Sequence, residues 1–242
     1  MSMLRVVPDE LQGPPSWEFA VAGTRRVWDL STSSPPVSEL EPIRKVASSR
    51  LSRHVPVLAY SMTTGGTLAL ESGLELELMS WLDRQSLVTH LVSQPAHLEW
   101  EDGRSHTPDL LSMDVDGVVT LWDARATEAQ DADFALKAAA TRRACGEVGW
   151  RYEVFAGLSV IASLNLRWLG VSRRAPEWLD PHVEPLRSLA EDGASIGDVA
   201  AADGGRGYLL SSMWHLVWRG DIQLDLEEPW CDSTPLAWAG AR

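Results

Sequence analysis

His106-Thr-Pro-Asp-Leu-Leu111 and Leu121-Trp-Asp-Ala-Arg125 are the two stretches whose reading decides the fold of this chain. In the first, Pro108 removes a backbone donor and Asp109 leads into an apolar strand. An acid entering a buried strand is costly unless it is paired or bound to a cation. In the second, the strand Val118-Val-Thr-Leu-Trp122 delivers Asp123 at its end. Asp116-Gly117 between them and Asp102-Gly103 before them are hairpin turn signals. Asp102, Asp114 and Asp116 are therefore most simply turn formers.

Working outward, Leu70, Leu74, Leu78 and Leu82 recur every four residues, the stripe of an amphipathic helix. That helical stretch, Glu71-Ser-Gly-Leu-Glu-Leu-Glu-Leu78, carries Glu75, with Glu71 on the same face and Glu77 nearby. Leu87–Val92 and His97–Glu101 read as short extended segments. Thr127–Glu147, rich in Ala, Leu, Lys and Glu, reads as a helix that stops at Gly149, and Trp150–Phe155 as a further strand. The order helix, antiparallel strands, helix, strand implies an α/β fold, a mixed sheet with helices on its faces. Glu75, Asp109 and Asp123 then come from separate elements. Three carboxylates brought together can hold a hard cation such as Mg²⁺ or Mn²⁺. Such a cation activates water and neutralises a leaving oxygen, as phosphodiester hydrolysis requires.

At the N-terminal end, Trp17–Ala22 and Arg25–Leu30 read as a short hairpin around Gly23, and Ser31–Pro42 as a loop. The basic stretch Arg44–Arg53 follows, and Val55–Tyr60 is expected to pair at a sheet edge. Residues 1–54 are thus an N-terminal extension, and 55–172 the core. The polar stretch 172–181 is a boundary. Beyond it, 182–192, 195–202 and 207–219 read as helices and Asp221–Leu226 as a strand, which suggests a small winged-helix domain over 181–242. Trp214, Trp218, Trp230 and Trp238 fall there, as a protein-binding surface or as the filling of a small core.

The 242 residues carry a net charge of −13, split as +1 over 1–60, −8 over 61–180 and −6 over 181–242. A protein that grips DNA by neutralising phosphates normally presents a basic surface, so this chain would do so through local patches or a partner. Arginine outnumbers lysine 19 to 2, read as the mark of a GC-rich bacterial genome. No run of 18 apolar residues is present, and the N-terminus lacks the apolar segment of a signal peptide. Only Cys145 and Cys231 occur, which excludes a disulfide framework and suits a reducing cytoplasm. The histidines lack zinc spacing, no Gly-x-Ser-x-Gly motif is present, and Gly204-Gly-Arg-Gly207 lacks the Lys-Ser/Thr of a phosphate loop.

From about 55 to 170 the chain resembles the TnsA-like endonucleases, strand-cleaving subunits of Tn7-type heteromeric transposases. The matching pieces are Glu71–Leu78, Gln94-Pro-Ala-His-Leu-Glu-Trp100, His106–Leu111, Trp122-Asp-Ala-Arg125, Gly149-Trp-Arg-Tyr-Glu-Val154 and Asn165-Leu-Arg-Trp-Leu169. The resemblance implies a restriction-endonuclease-like core followed by a C-terminal winged helix, Mg²⁺ or Mn²⁺ as cofactor, DNA as substrate, and a transposase subunit as protein partner. It implies that Glu75, Asp109 and Asp123 hold the metal, with the backbone carbonyl of Ala124 completing its shell. Arg125 stands where the family has its catalytic lysine. Arginine stays protonated and presents a planar fork instead of a point charge, so this departure puts activity in doubt. Lys137 on the following helix is a candidate replacement. The alternatives are an inactive pseudonuclease acting as a protein or DNA adaptor, and a defence or restriction-type nuclease.

Overall fold

A computed structural model describes residues 13–44 and 57–239. The chain is mixed α/β and divides into two compact units. The first comprises the residues up to Met79 and Leu87–Gly157, the second Ser80–Ser86 and Leu158–Arg242. In chain order the elements of the first are β1 (Ser16–Val21), β2 (Thr24–Trp28), β3 (Leu40–Glu41), β4 (Val57–Ser61), β5 (Gly66–Leu70), α1 (Gly73–Asp83, whose residues from Ser80 count with the second unit), β6 (Val88–Ser93), β7 (Ala96–Glu99), β8 (Ser105–His106), β9 (Leu110–Asp114), β10 (Val119–Ala124), α2 (Ala132–Glu147) and β11 (Arg151–Phe155). The second holds α3 (Val160–Leu169), α4 (Asp180–Glu191), α5 (Ile196–Asp203), α6 (Tyr208–Arg219), β12 (Ile222–Gln223) and β13 (Ala237–Trp238). No helix among the described residues is long and apolar enough to cross a membrane.

The sheet that carries the site has the order β11-β10-β9-β6. β10 runs parallel to β11 and antiparallel to β9, and β9 is antiparallel to β6. Leu110, Leu111, Val119 and Leu121 are all buried. Strands covered on both faces read as continuous apolar runs, which is why alternation is faint here. The β9–β10 turn closes through Asp114, whose Oδ1 accepts hydrogen bonds from Asp116 N and Val118 N. Gly117 supplies the left-handed backbone, with φ of 77°.

The N-terminal residues are not an appendage. β1 lies inside a second sheet, β2-β1-β7-β8, with β3 also paired to β1. Trp17 and Phe19 alternate inward and stack at 6.1 Å, and Trp150 meets both edge-on at 5.8 and 5.9 Å. Val37 and Leu40 are buried in the same core, so Ser31–Pro42 is a packed connection and not a free linker. Gln94 joins the two sheets in a left-handed conformation, φ 46°. Its N–H donates to the Asp109 carbonyl and its own carbonyl accepts from Ile43, both at 2.8 Å.

Several element limits move for local reasons. Leu70 belongs to β5, and α1 starts at Gly73, after Glu71 and Ser72. Thr127–Ala129 is a separate 3₁₀ turn, because Asp131 caps α2 by accepting from Phe134 N. β4 pairs with β5 in a two-stranded sheet of its own. The basic stretch from Lys45 to Arg53, and residues 54–56, lie outside the described residues. The compact units part at Gly157/Leu158 and not within 172–181, since α3 packs in the second core through Leu166 and Leu169.

That second core is closed by Leu186, Val199, Met213, Leu216 and Trp218. Its helices are well capped. Ser195 and Asp198 form a reciprocal capping box on α5. Asp203 accepts from Gly207, Leu209 and Leu210, satisfying the first turn of α6. The strand expected over Asp221–Leu226 is only two residues long. It pairs with β13, and an isolated bridge joins Ser195 to Pro235.

Candidate functional site

Antiparallel pairing of β9 with β10 places Leu111 opposite Leu121 and Leu110 opposite Trp122. The paired register ends there, and just beyond it Asp109 N–H donates to the Trp122 carbonyl at 2.9 Å. Asp109 thus enters β9 where Asp123 leaves the paired part of β10, and both carboxylates face one space. They open into a cavity of about 480 Å³ that Glu71, Ser72, Glu75, His106, Ala124, Arg125 and Lys137 also line. Every residue that the sequence marks for the site therefore borders one cavity.

The contacts of each are specific. Glu75, 5% exposed, turns back on the start of its own helix. Its Oε2 accepts from Glu71 N at 2.7 Å and its Oε1 from the Ser72 hydroxyl at 2.8 Å, while Ser72 Oγ accepts from Glu75 N. Helix capping thus accounts for its burial. Asp109 Oδ2 accepts from Ala124 N at 2.8 Å, so Ala124 presents its amide to the acid. Asp123, 3% exposed, accepts at Oδ2 from the Tyr152 hydroxyl. His106 Nε2 lies 2.9 Å from that same oxygen, but off the line of a hydrogen bond, and this buried nitrogen has no other partner among the described residues.

Arg125 is drawn to one side. Its Nε donates to the Ala129 carbonyl at 2.8 Å, and its guanidinium sits 5.5 Å from the centre of the Phe134 ring. Lys137 borders the cavity from α2 and pairs with Asp133 at 2.8 Å, one helical turn away.

The electrostatics follow from crowding like charges in a poorly solvated place. Burial, then the charges of Asp123 and Glu75, push the Asp109 carboxyl up to about 8. Burial raises Glu75 as well, against the hydrogen bonds from Glu71 and Ser72. Tyr152 is held well above the ordinary phenol range by burial and by Asp123, so it stays a donor.

Among the described residues, no three His, Cys, Asp or Glu side chains come together as a cage for a metal ion. This does not exclude Mg²⁺ on chemical grounds, because that ion is commonly held by one or two carboxylates with water and substrate phosphate. Asp109 and Asp123 fit such a role. They border one cavity, and the burial and like charge that raise Asp109 are what a divalent cation would relieve. Glu75 fits less well, since both of its oxygens serve the helix start.

Tyr152 is a contact of Asp123 that the sequence reading omits. Its signal is Trp150-Arg-Tyr152, whose alternation turns Tyr152 inward beside Leu121, its partner in the β10–β11 register. His106, whose stretch the sequence reading quotes without giving it a role, touches Asp123 directly. No protein-family model matches the chain, and no curated protein matches it.

Proposed function

We propose that this protein is a TnsA-like, nuclease-fold protein that acts at DNA, with a divalent cation held chiefly by Asp109 and Asp123. The observation that carries this reading is the placement of those two acids, on neighbouring strands, in one cavity, with Asp109 pushed up to about 8 by burial and then by the charges of Asp123 and Glu75. The element order supports it too. One helix, three antiparallel strands, a helix and a strand parallel to the third are what a restriction-endonuclease-like core requires. The order α4, bridge, α5, α6, β12, β13 supports a winged helix after it. When bound, the cation would supply Lewis acidity toward a phosphodiester. Of the protein's own groups, Ala124 N and Tyr152 orient the two acids, and Lys137 is the cation-bearing side chain that replaces the family's lysine at the cavity wall. A cytoplasmic location and a transposase-type partner belong to the same proposal.

A second reading, a pseudonuclease adaptor, draws on Arg125. With its Nε on Ala129 and its plane over Phe134, Arg125 does not stand in for a free ammonium. Supercoiled-plasmid nicking with Mn²⁺ separates the two. The enzyme reading expects weak nicking that Asp109→Ala abolishes and Arg125→Lys raises by at least about tenfold. No nicking by either the natural chain or Arg125→Lys would leave the adaptor.

A further inference from the structure

The second unit carries a concavity that the nuclease reading does not use. Asn165, Trp168, Ile196, Trp214, Trp230, Cys231 and Asp232 line a trough of about 340 Å³. Trp214 stands edge-on to Trp168 at 4.2 Å and stacks on Trp230 at 5.7 Å, tilted by 27°. The trough is anchored by polar contacts. Asn165 Nδ2 donates to the carbonyls of Leu226 and Glu228, and Trp230 Nε1 donates to that of Asp225.

From its edge an apolar ridge runs along α3. Val160, Leu164 and Trp168 are 78%, 59% and 47% exposed, and Val171 just beyond the helix is 82% exposed. Their spacing places them on one face. Surface residues of this size in a continuous row, ending in a tryptophan trough, mark an interaction surface.

The charge around it selects the occupant. Asp225, Glu227, Glu228 and Asp232 are all exposed on the segment that carries Trp230. Arg167 is the one basic side chain on α3. Residues 181–242 carry −6 overall. A second copy would bring the same acids and be repelled, and nucleic acid would bring phosphates. We infer that the trough and the α3 ridge dock a basic, amphipathic segment of another protein. Its apolar side would lie on Val160, Leu164 and Trp168, and its lysines or arginines would meet the acids flanking Trp230. This inference stands apart from whether the first unit cleaves DNA.

Cys231 provides a reporter. It is exposed at the trough, and hydrogen bonding with Ser233 and Thr234 holds its thiol below the ordinary value. Cys145 is buried, its thiol pushed up to about 12, so maleimide labels Cys231 selectively in the folded chain. The test titrates the full chain with an amphipathic leucine–lysine peptide of about 14 residues, four helical turns, and with its leucine–glutamate counterpart. Tryptophan emission and the Cys231 labelling rate are followed. The lysine peptide should saturate, slow labelling several-fold and weaken with salt, while the glutamate peptide does neither. Trp168→Ala and Leu164→Ser, both exposed changes that should leave the circular dichroism unaltered, should each weaken binding about tenfold. Equal binding of the two peptides, binding untouched by both substitutions, concentration-dependent self-association that protects Cys231, or protection by duplex DNA instead of peptide would each overturn the inference.

Discussion

The acidic cavity of the first unit and the tryptophan trough of the second are built on opposite principles. The cavity gathers Glu71, Glu75, Asp109, Asp123, Asp131 and Asp133 around one space and raises Asp109 to about 8. Glu75 and Asp131 cap helices and Glu71 and Asp133 pair with Arg44 and Lys137, but burying Asp109 beside Asp123 destabilises the folded state. The trough stacks neutral rings and satisfies its Asn165 and Trp230 donors with backbone carbonyls. Its polar contacts therefore add to stability instead of opposing it. The difference teaches which region is shaped by more than folding. A costly cluster that a cation would relieve points to chemistry, and a well-satisfied aromatic surface points to docking.

The sharpest way to break this comparison is Asp109→Asn. Asp109 titrates near its ordinary value when unfolded and near 8 when folded, so the folded protein binds the extra proton between those limits. Stability of the natural chain should therefore fall as pH rises from about 4 to 8 and level off above. Asp109→Asn removes that dependence. Its gain over the natural chain should be slight at pH 4 and reach on the order of a few kcal/mol by pH 8. Urea unfolding across pH checks this, and an unchanged pH profile would show that the cavity is not strained.

Gly197→Ala probes the other region, with the opposite sign. A Cβ there would stand 2.9 Å from the Asp232 carbonyl oxygen, which already accepts from Gly197 N at 2.7 Å. The backbone at the trough must shift, and thermal unfolding should report a loss of about 1–3 kcal/mol. An unaltered transition would mean that the wall of the trough is loose.

The smallest effect is expected at Lys137. Its pairing with Asp133 is exposed, so Lys137→Ala should leave the unfolding midpoint where it is. If the same substitution removes Mn²⁺-dependent nicking, Lys137 belongs to the chemistry; if nicking persists, its place at the cavity is incidental.

Much of the first region was legible in the sequence. The hairpin signal at Asp116-Gly117 fixes how β9 meets β10, and that pairing brings Asp109 and Asp123 to one cavity. The helices of the second unit were also legible, because Ser195, Asp198 and Gly204 cap α5 locally. What escaped depends on contacts between distant elements. Tyr152 reaches Asp123 only because β11 runs parallel to β10 in one particular register. Residues 1–54 read as an extension because nothing local says that Trp17 and Phe19 meet Trp150. Arg125 could be seen to replace lysine, but its withdrawal depends on Ala129 and Phe134 beyond the strand.

The central claim is that Asp109 and Asp123 together hold a divalent cation. Calorimetric titration of the full chain with Mn²⁺ at pH 8 tests it most directly, alongside Asp109→Asn and Tyr152→Phe. The account predicts one saturable site in the natural chain, its loss in Asp109→Asn, and weakened binding in Tyr152→Phe, where Asp123 loses its oriented donor. Absence of any saturable Mn²⁺ binding, or binding that Asp109→Asn leaves unchanged, would contradict it.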